Sequence, residues 1–280
     1  LNASELGNKD SIGKVLDKIQ SLPSLPLVVM DILDSINQVD MNIDILSKKI
    51  STDQAIVARV LRVANSPFYG LSGQIDCISR AVTVLGFNSL RGLVMAAAVI
   101  NAFPRTEKKI NWESFWQHSI CVAVCAKALA KYAGQNPETA FTTGVLHDVG
   151  KLVIAVHFPQ AFSSQDVTTE TLQAEQEMLG FDHAGLGGEV AKHWHFPLTI
   201  QQAILHHHDC NRVVDEKNLI DVIYIANLLA HSLDDGMIKS EHCDFLTVEA
   251  WKRLGVPAAA LEDLADEVQQ MYDGTITLIS

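Results

Sequence analysis

Along most of this chain apolar residues recur at intervals of three and four, the period of a helix with one buried face, and no stretch shows the strict alternation of a half-buried strand. The spacing of Ile12, Val15, Leu16 and Ile19 predicts a short amphipathic helix, closed by the turn Leu22-Pro23-Ser24-Leu25-Pro26. A second helix follows from Pro26, with Val29, Met30, Leu33 and Ile36 on one stripe, and Ile43, Leu46 and Ile50 mark a third. Asp53 stands where an N-cap is needed, ahead of Ile56, Val57, Val60, Leu61 and Ala64, and Asn65-Ser66-Pro67 stops that helix. Two more helices are predicted over Ile78–Leu85 and Leu90–Phe103, parted by Gly86-Phe87-Asn88, with Asn88 or Ser89 as the second N-cap.

Proline and a charge cluster interrupt the periodicity from Phe103 to Lys109, which places a boundary between residues 1–105 and residues 106–280. Beyond it the stripe Phe115, His118, Val122, Cys125, Ala126, Leu129 puts a histidine where apolar neighbours point. Pro137 opens a helix that runs into Leu146-His147-Asp148-Val149, and its spacing sets His147 and Asp148 about 100° apart around the axis. Side chains so placed contact each other poorly, yet a cation seated between them can touch both. A polar helix after Thr168 ends near Gly180, and an apolar helix is expected over Ile220–Leu233 and an amphipathic one over Pro257–Met271. The fold class is therefore all-α.

Composition narrows the function. The net charge is −12, from 33 acidic and 21 basic residues, and no dense basic stripe offsets it. A polyanionic backbone would be repelled, which argues against nucleic acid as partner. The longest apolar stretch, Leu93 to Ile100, suits a buried helix and is too short for a bilayer, so no membrane role is expected. Nothing at the N-terminus resembles a signal peptide. The five cysteines include no CxxC pair, and the reading is a reducing cytoplasm.

The candidate chemistry lies in Gly144-Val145-Leu146-His147-Asp148-Val149-Gly150-Lys151. A phosphate-binding loop is excluded there, because five residues separate the glycines and Leu152 stands where a Ser or Thr would hold magnesium. A histidine and a carboxylate inside an apolar segment need hydrogen bonds, a counter-charge or a metal to offset their desolvation. The stretch His183 to His208 holds six of the eleven histidines, and the stripe Ile200, Ala203, Ile204 continues into His207 beside His206. Together with His118 and the doublet these are too many inward polar groups for an unaided core. Helical bundles build metal sites from such groups on facing helices. Lys151 is a cation close by, suited either to a phosphate group or to the carbonyls of a helix end. His157, His193, His195, His231 and His242 read singly as ordinary histidines, with His231 one turn beyond Asn227.

These motifs resemble the HDOD family, the HD-related output domains of the HD phosphohydrolase superfamily. The similar blocks are Leu22–Pro26, Asp53–Leu61, Ala64–Gly70 and Ala81–Gly86 in the first half. In the second half they are His118, Gly144–Lys151, Gly180–Ala184 and His206-His207. The resemblance implies an N-terminal helical lobe followed by an HD-type helical domain. It also implies a first metal on His118, His147, Asp148 and Asn227, and further ligands in His183, His206 and His207. By the same resemblance Asp148 and Lys151 would be the catalytic pair. The expected cofactor is a divalent transition metal, iron or manganese, as one ion or two. Two departures qualify this: Gln54 follows Asp53 where the family usually has proline, and Asn227 stands where the superfamily has an aspartate. The Gly-Tyr-Pro signature of cyclic-di-GMP phosphodiesterases is replaced by His208-Asp209-Cys210-Asn211-Arg212, which disfavours that activity. The expectation is a bacterial signalling or regulatory protein with weak or no catalysis, acting on a protein partner. The alternative is a phosphohydrolase of a small phosphorylated compound.

Overall fold

The computed structural model describes residues 19–20, 25, 27–34, 43–66, 75–103, 110–158, 169–209, 219–234 and 248–279. Every regular element among the described residues is a helix. The first half contributes α1 (Leu27–Asp34), α2 (Ile43–Ile50), α3 (Gln54–Ala64), α4 (Ile78–Leu85) and α5 (Phe87–Ala102). The second contributes α6 (Trp112–Ala133), α7 (Pro137–Leu146), α8 (Val149–His157), α9 (Thr169–Leu179), α10 (His183–His193) and α11 (Leu198–Leu205). It closes with α12 (Leu219–Asp234), α13 (Glu249–Leu254) and α14 (Leu261–Thr275), the last flanked by 3-10 turns at Ala258–Ala260 and Ile276–Leu278. The expected helix over Ile12–Ile19 lies outside the described residues except for its end, and so does the turn at residues 22–26 except Leu25.

Local chemistry explains most boundaries. Asp53 caps α3 by accepting from the N–H groups of Ala55 and Ile56, and Asn65 ends the same helix. The next two helices are parted by less than the sequence suggests. Gly86, at φ 77°, is at once the C-cap of α4 and the N-cap of α5, so the second helix begins at Phe87 instead of after Asn88 or Ser89. Only glycine enters that left-handed conformation without steric cost.

The 22-residue α6 is the spine of the molecule, capped by Asn111 and ended by Gly134 in a left-handed turn. Buried residues occur around most of its circumference, as a central helix requires. It packs against α7, α12 and α14, while α10 packs against α8 and α11, and α5 joins the first half to α7. Residues 137–157 have the length and apolar composition of a membrane span, but 83% of the scored window is buried inside this fold, as in the core of a helical bundle. The expected division near residue 105 falls in the segment 104–109, outside the described residues. Helices on both sides of it contribute to one buried cluster that runs from Ile19 to Ile279.

Candidate metal centre

The doublet does not sit inside one helix. α7 stops at Leu146 and α8 starts at Val149, so His147 and Asp148 form the junction between them. The expectation of poor contact between the two side chains is corrected here: His147 Nε2 lies 3.4 Å from Asp148 Oδ2. Two glycines let the junction lie this deep. A Cβ on Gly144 would stand 2.5 Å from the Cα of Ala123 in α6, and one on Gly150 would stand 2.0 Å from the carbonyl oxygen of His183. Both distances are far inside van der Waals contact, so any side chain there would push α6 or α10 away from the doublet.

Each inward imidazole is held by its outer nitrogen. His147 Nδ1 lies 2.7 Å from the carbonyl of Gly144, and His207 Nδ1 lies 2.6 Å from that of Ile204. A carbonyl only accepts, so both Nδ1 atoms carry the proton and both Nε2 atoms present a lone pair. The carboxylate of Glu175 accepts from His183 Nδ1 at 2.8 Å and from the His183 backbone N–H at 2.7 Å, with Glu175 itself buried. Around Asp148 Oδ1 stand His183 Nε2 at 3.3 Å and His207 Nε2 at 3.5 Å. His208 Nε2 faces His183 Nε2 at 2.9 Å, and Lys151 Nζ donates to Asp148 Oδ2 at 2.5 Å.

Three of these buried atoms, His147 Nε2, Asp148 Oδ1 and His207 Nε2, make no hydrogen bond among the described residues. Native interiors rarely leave such groups unpaired. Asp148, His183, His207 and His208 bring four ligand atoms within 4.8 Å of one another, and His118, His147 and Asp148 form a second such group. Nitrogen-rich sets of this kind suit divalent transition metals, and outer partners such as Glu175 are what fix a ligating imidazole. The residues present therefore fit a metal ion.

The electrostatics agree with ligation. Burial pushes His147 well below the ordinary histidine value of 6.5, against the opposing pull of Asp148. It lowers His207 and His208 in the same way, each with other imidazoles adding to the effect. For Asp148 burial acts upward, but the Lys151 ammonium and the surrounding imidazoles outweigh it and hold the carboxyl well below its usual range. The centre thus offers neutral imidazoles and an ionised carboxylate, the protonation states that bind metal.

The expected residues distribute as follows. His118, His147, Asp148, His183 and His207 meet in the two groups, with Lys151 at their edge. Asn227 is buried on α12, and its Oδ1 lies 3.1 Å from His118 Nε2. An amide oxygen accepts, so this bond forms in the tautomer that carries the proton on His118 Nε2. The His231 ring lies 4.6 Å from that of His118, a further imidazole on the same side. His206 is the C-cap of α11, half-exposed, and belongs to neither group; His208 stands there in its place. Sequence reading missed His208 and Glu175. The run of three histidines was the available signal for the first, whereas Glu175 sits among polar residues of a helix with nothing to distinguish it from exposed Glu177.

An all-α bundle with a His-Asp junction at its centre and imidazoles converging from α6, α10 and the end of α11 defines the HD type of helical domain. Within that class the chain belongs to the HDOD family, whose model, described as the HDOD domain, matches residues 22–210. A candidate phosphohydrolase of Shewanella amazonensis is 30% identical, with a TM-score of 0.77, and the match covers 94% of this chain and 97% of that one. An HDOD domain protein of unknown function from Geobacter sulfurreducens is 25% identical, with a TM-score of 0.70 over 93% of this chain and 99% of that one. An uncharacterized protein of Treponema pallidum is 25% identical over 79% of this chain. The chain spans less than half of that relative, 44% of its length.

Proposed function

We infer that this protein is an HDOD regulatory module whose HD-type centre holds a divalent transition metal as a structural and signalling element, with little or no turnover. The observation that carries this is the trio of buried, unbonded atoms on His147, Asp148 and His207 set beside a neutral Asn227. The trio calls for a cation, and the amide withholds one negative charge from it. When bound, the ion would polarise water or a phosphate oxygen. This chain's own contributions are simpler. His183, His207, His208 and Asp148 would hold the ion, with His147 beside them, and Glu175 keeps His183 turned inward. Lys151, bonded to Asp148, would face the charge of any phosphate that arrived. Iron and manganese are the ions proposed, and the partner is a signalling protein.

Metal analysis of protein purified without chelator, and again after anaerobic reconstitution, tests the reading. Near-stoichiometric transition metal is expected, and less of it in Asp148→Ala. An empty centre under both conditions would remove the metal. A phosphoester screen on the loaded protein separates regulation from hydrolysis: no turnover is expected, and substantial turnover of a small phosphoester would replace the regulatory reading with the enzymatic one.

A further inference from the structure

Where α14 packs on the spine α6, side chains of α5, α6, α7 and α14 leave a cavity of about 210 Å³ between them. An apolar cavity of roughly 150 Å³ already holds a benzene ring. This one therefore has room for a small branched or cyclic group and a few polar atoms besides. Its apolar wall is Leu93, Val124, Phe141 and Met271. It is separate from the metal centre: Lys127, which lines it, stands nine residues beyond His118 on α6, a distance of about 13 Å along the helix axis.

The polar side of the cavity carries both signs of charge in equal number. Lys127 pairs with Glu138 at 2.8 Å, and Lys131, one turn further along α6, pairs with Glu267 of α14. Neither pair is saturated. An ammonium has three donors, and Lys127 Nζ directs two of them to Glu138 and to Ser89 Oγ at 3.5 Å. Lys131 gives one to Glu267 Oε1, and Glu267 Oε2 accepts from no described residue. Thr275, the last residue of α14, also lines the cavity and is only 8% exposed. Thr142 and Thr143 bond to the carbonyls one turn back, whereas the Thr275 hydroxyl makes no hydrogen bond among the described residues. A hydroxyl at that depth is ordinarily satisfied. A ligand with one charge would gain little here, because each lysine or glutamate that attracts it has a partner that repels it. A ligand with both charges meets a complement for each.

We propose that this cavity binds a free apolar α-amino acid. Its carboxylate accepts from Lys127 and Lys131, its ammonium donates to Glu267 Oε2 and the Thr275 hydroxyl, and its side chain lies against Leu93, Phe141 and Met271. The occupant touches both halves of the chain, since Leu93 comes from the first and the other six residues from the second. It is therefore an effector site, independent of any metal.

The test is calorimetric titration of the full chain, as purified and again after chelator, with leucine and phenylalanine. Two analogues of leucine separate the charges: 4-methylpentanoate lacks the ammonium and 3-methylbutylamine lacks the carboxylate. One equivalent of at least one amino acid is expected to bind, with the same affinity before and after chelator, and both analogues at least tenfold more weakly. Glu267→Gln, at the half-exposed mouth, should weaken that binding roughly tenfold, the scale of a lost charge-assisted hydrogen bond. Thr275→Val should weaken it several-fold, and Met271→Trp, which fills the cavity, should abolish it. If Met271→Trp does not fold, Glu267→Gln and Thr275→Val carry the test with the same expected directions. No saturable binding of either amino acid, equal binding of an analogue, or unchanged affinity in Glu267→Gln would overturn the proposal. Binding seen only before chelator would overturn it too, by placing the amino acid on a metal ion.

Discussion

His147 Nε2, Asp148 Oδ1 and His207 Nε2 are buried without a hydrogen bond among the described residues, a condition that costs about 1–3 kcal/mol for each group in the absence of an occupant. The metal-free protein should therefore be the fragile form, and its pH dependence has a definite sign. In the unfolded chain the histidines titrate near 6.5, whereas in the fold His147 and His207 lie below that value. Below pH 6.5 the unfolded state binds more protons, so stability falls as the pH drops. Asp148, depressed from 3.8, adds to the loss only in stronger acid. Urea midpoints of chelator-treated protein should decline between about pH 7 and pH 5, and a flat profile would mean that the imidazoles protonate freely within the fold. Glu175 gives a second test. Glu175→Gln keeps the shape and removes the charge behind His183, and metal affinity measured by chelator competition should fall roughly tenfold, the usual scale for an outer partner of a ligating histidine. Unchanged affinity would reduce Glu175 to a cap for the first N–H of α10. Asn227→Asp works in the other direction: returning a carboxylate beside His118 should tighten metal binding or add a second equivalent. The same occupancy in both forms would show that the α6–α12 side of the centre takes no part in it.

At the scale of elements, the centre depends on how closely α8 approaches α10 and α7 approaches α6. Gly150→Ala places a methyl 2.0 Å from the His183 carbonyl oxygen, and backbone cannot yield as a side-chain tip does. The substitution should cost about 3 kcal/mol and lower metal occupancy with it. A denaturant midpoint near that of wild type would mean that α10 shifts without resistance. How far these elements could be read beforehand follows from the kind of information each needs. The stripe carrying His118, the cap at Asp53 and the stop at Asn65 are local, and the chain displays them. The break between Leu146 and Val149 is not, because the apolar residues Val145, Leu146, Val149, Leu152, Val153 and Ile154 keep a helical period across it, and the close packing of Gly144 on α6 and Gly150 on α10 is tertiary. The same holds for Glu175, whose carboxylate matters only because the chain returns at His183 to meet it. His207 was marked by its apolar stripe. The preference for His208 over His206 depends on α11 ending at Leu205, a boundary that periodicity cannot place to within a residue.

For the whole molecule, the arginines of α3 decide how the two halves are joined. Arg59 bonds to the carbonyl of Leu278 and to Asn101 Oδ1 at 3.0 Å, and Arg62 reaches the carbonyl of Thr277 at 3.4 Å. The 3-10 turn after α14 is thus fastened to the first half, while α14 itself lies on the spine α6. With α5 against α7 as well, two separate connections span the segment near residue 105, and both lead into one buried cluster. Halves tied in this way should not unfold independently. The tryptophans offer a direct test, because all four, at positions 112, 116, 194 and 251, lie in the second half. Their fluorescence reports that half alone, whereas far-ultraviolet circular dichroism reports the helices of both. The two urea transitions should coincide in the metal-free chain, as a single cooperative unit requires. Arg59→Ala should move both midpoints down together, by the loss of a hydrogen bond from a charged group of about 1.5–3 kcal/mol. A circular-dichroism transition that begins ahead of the fluorescence, in either form, would show that the first half opens by itself and that the contacts of α3 with the chain's final turn do not couple it to the metal centre.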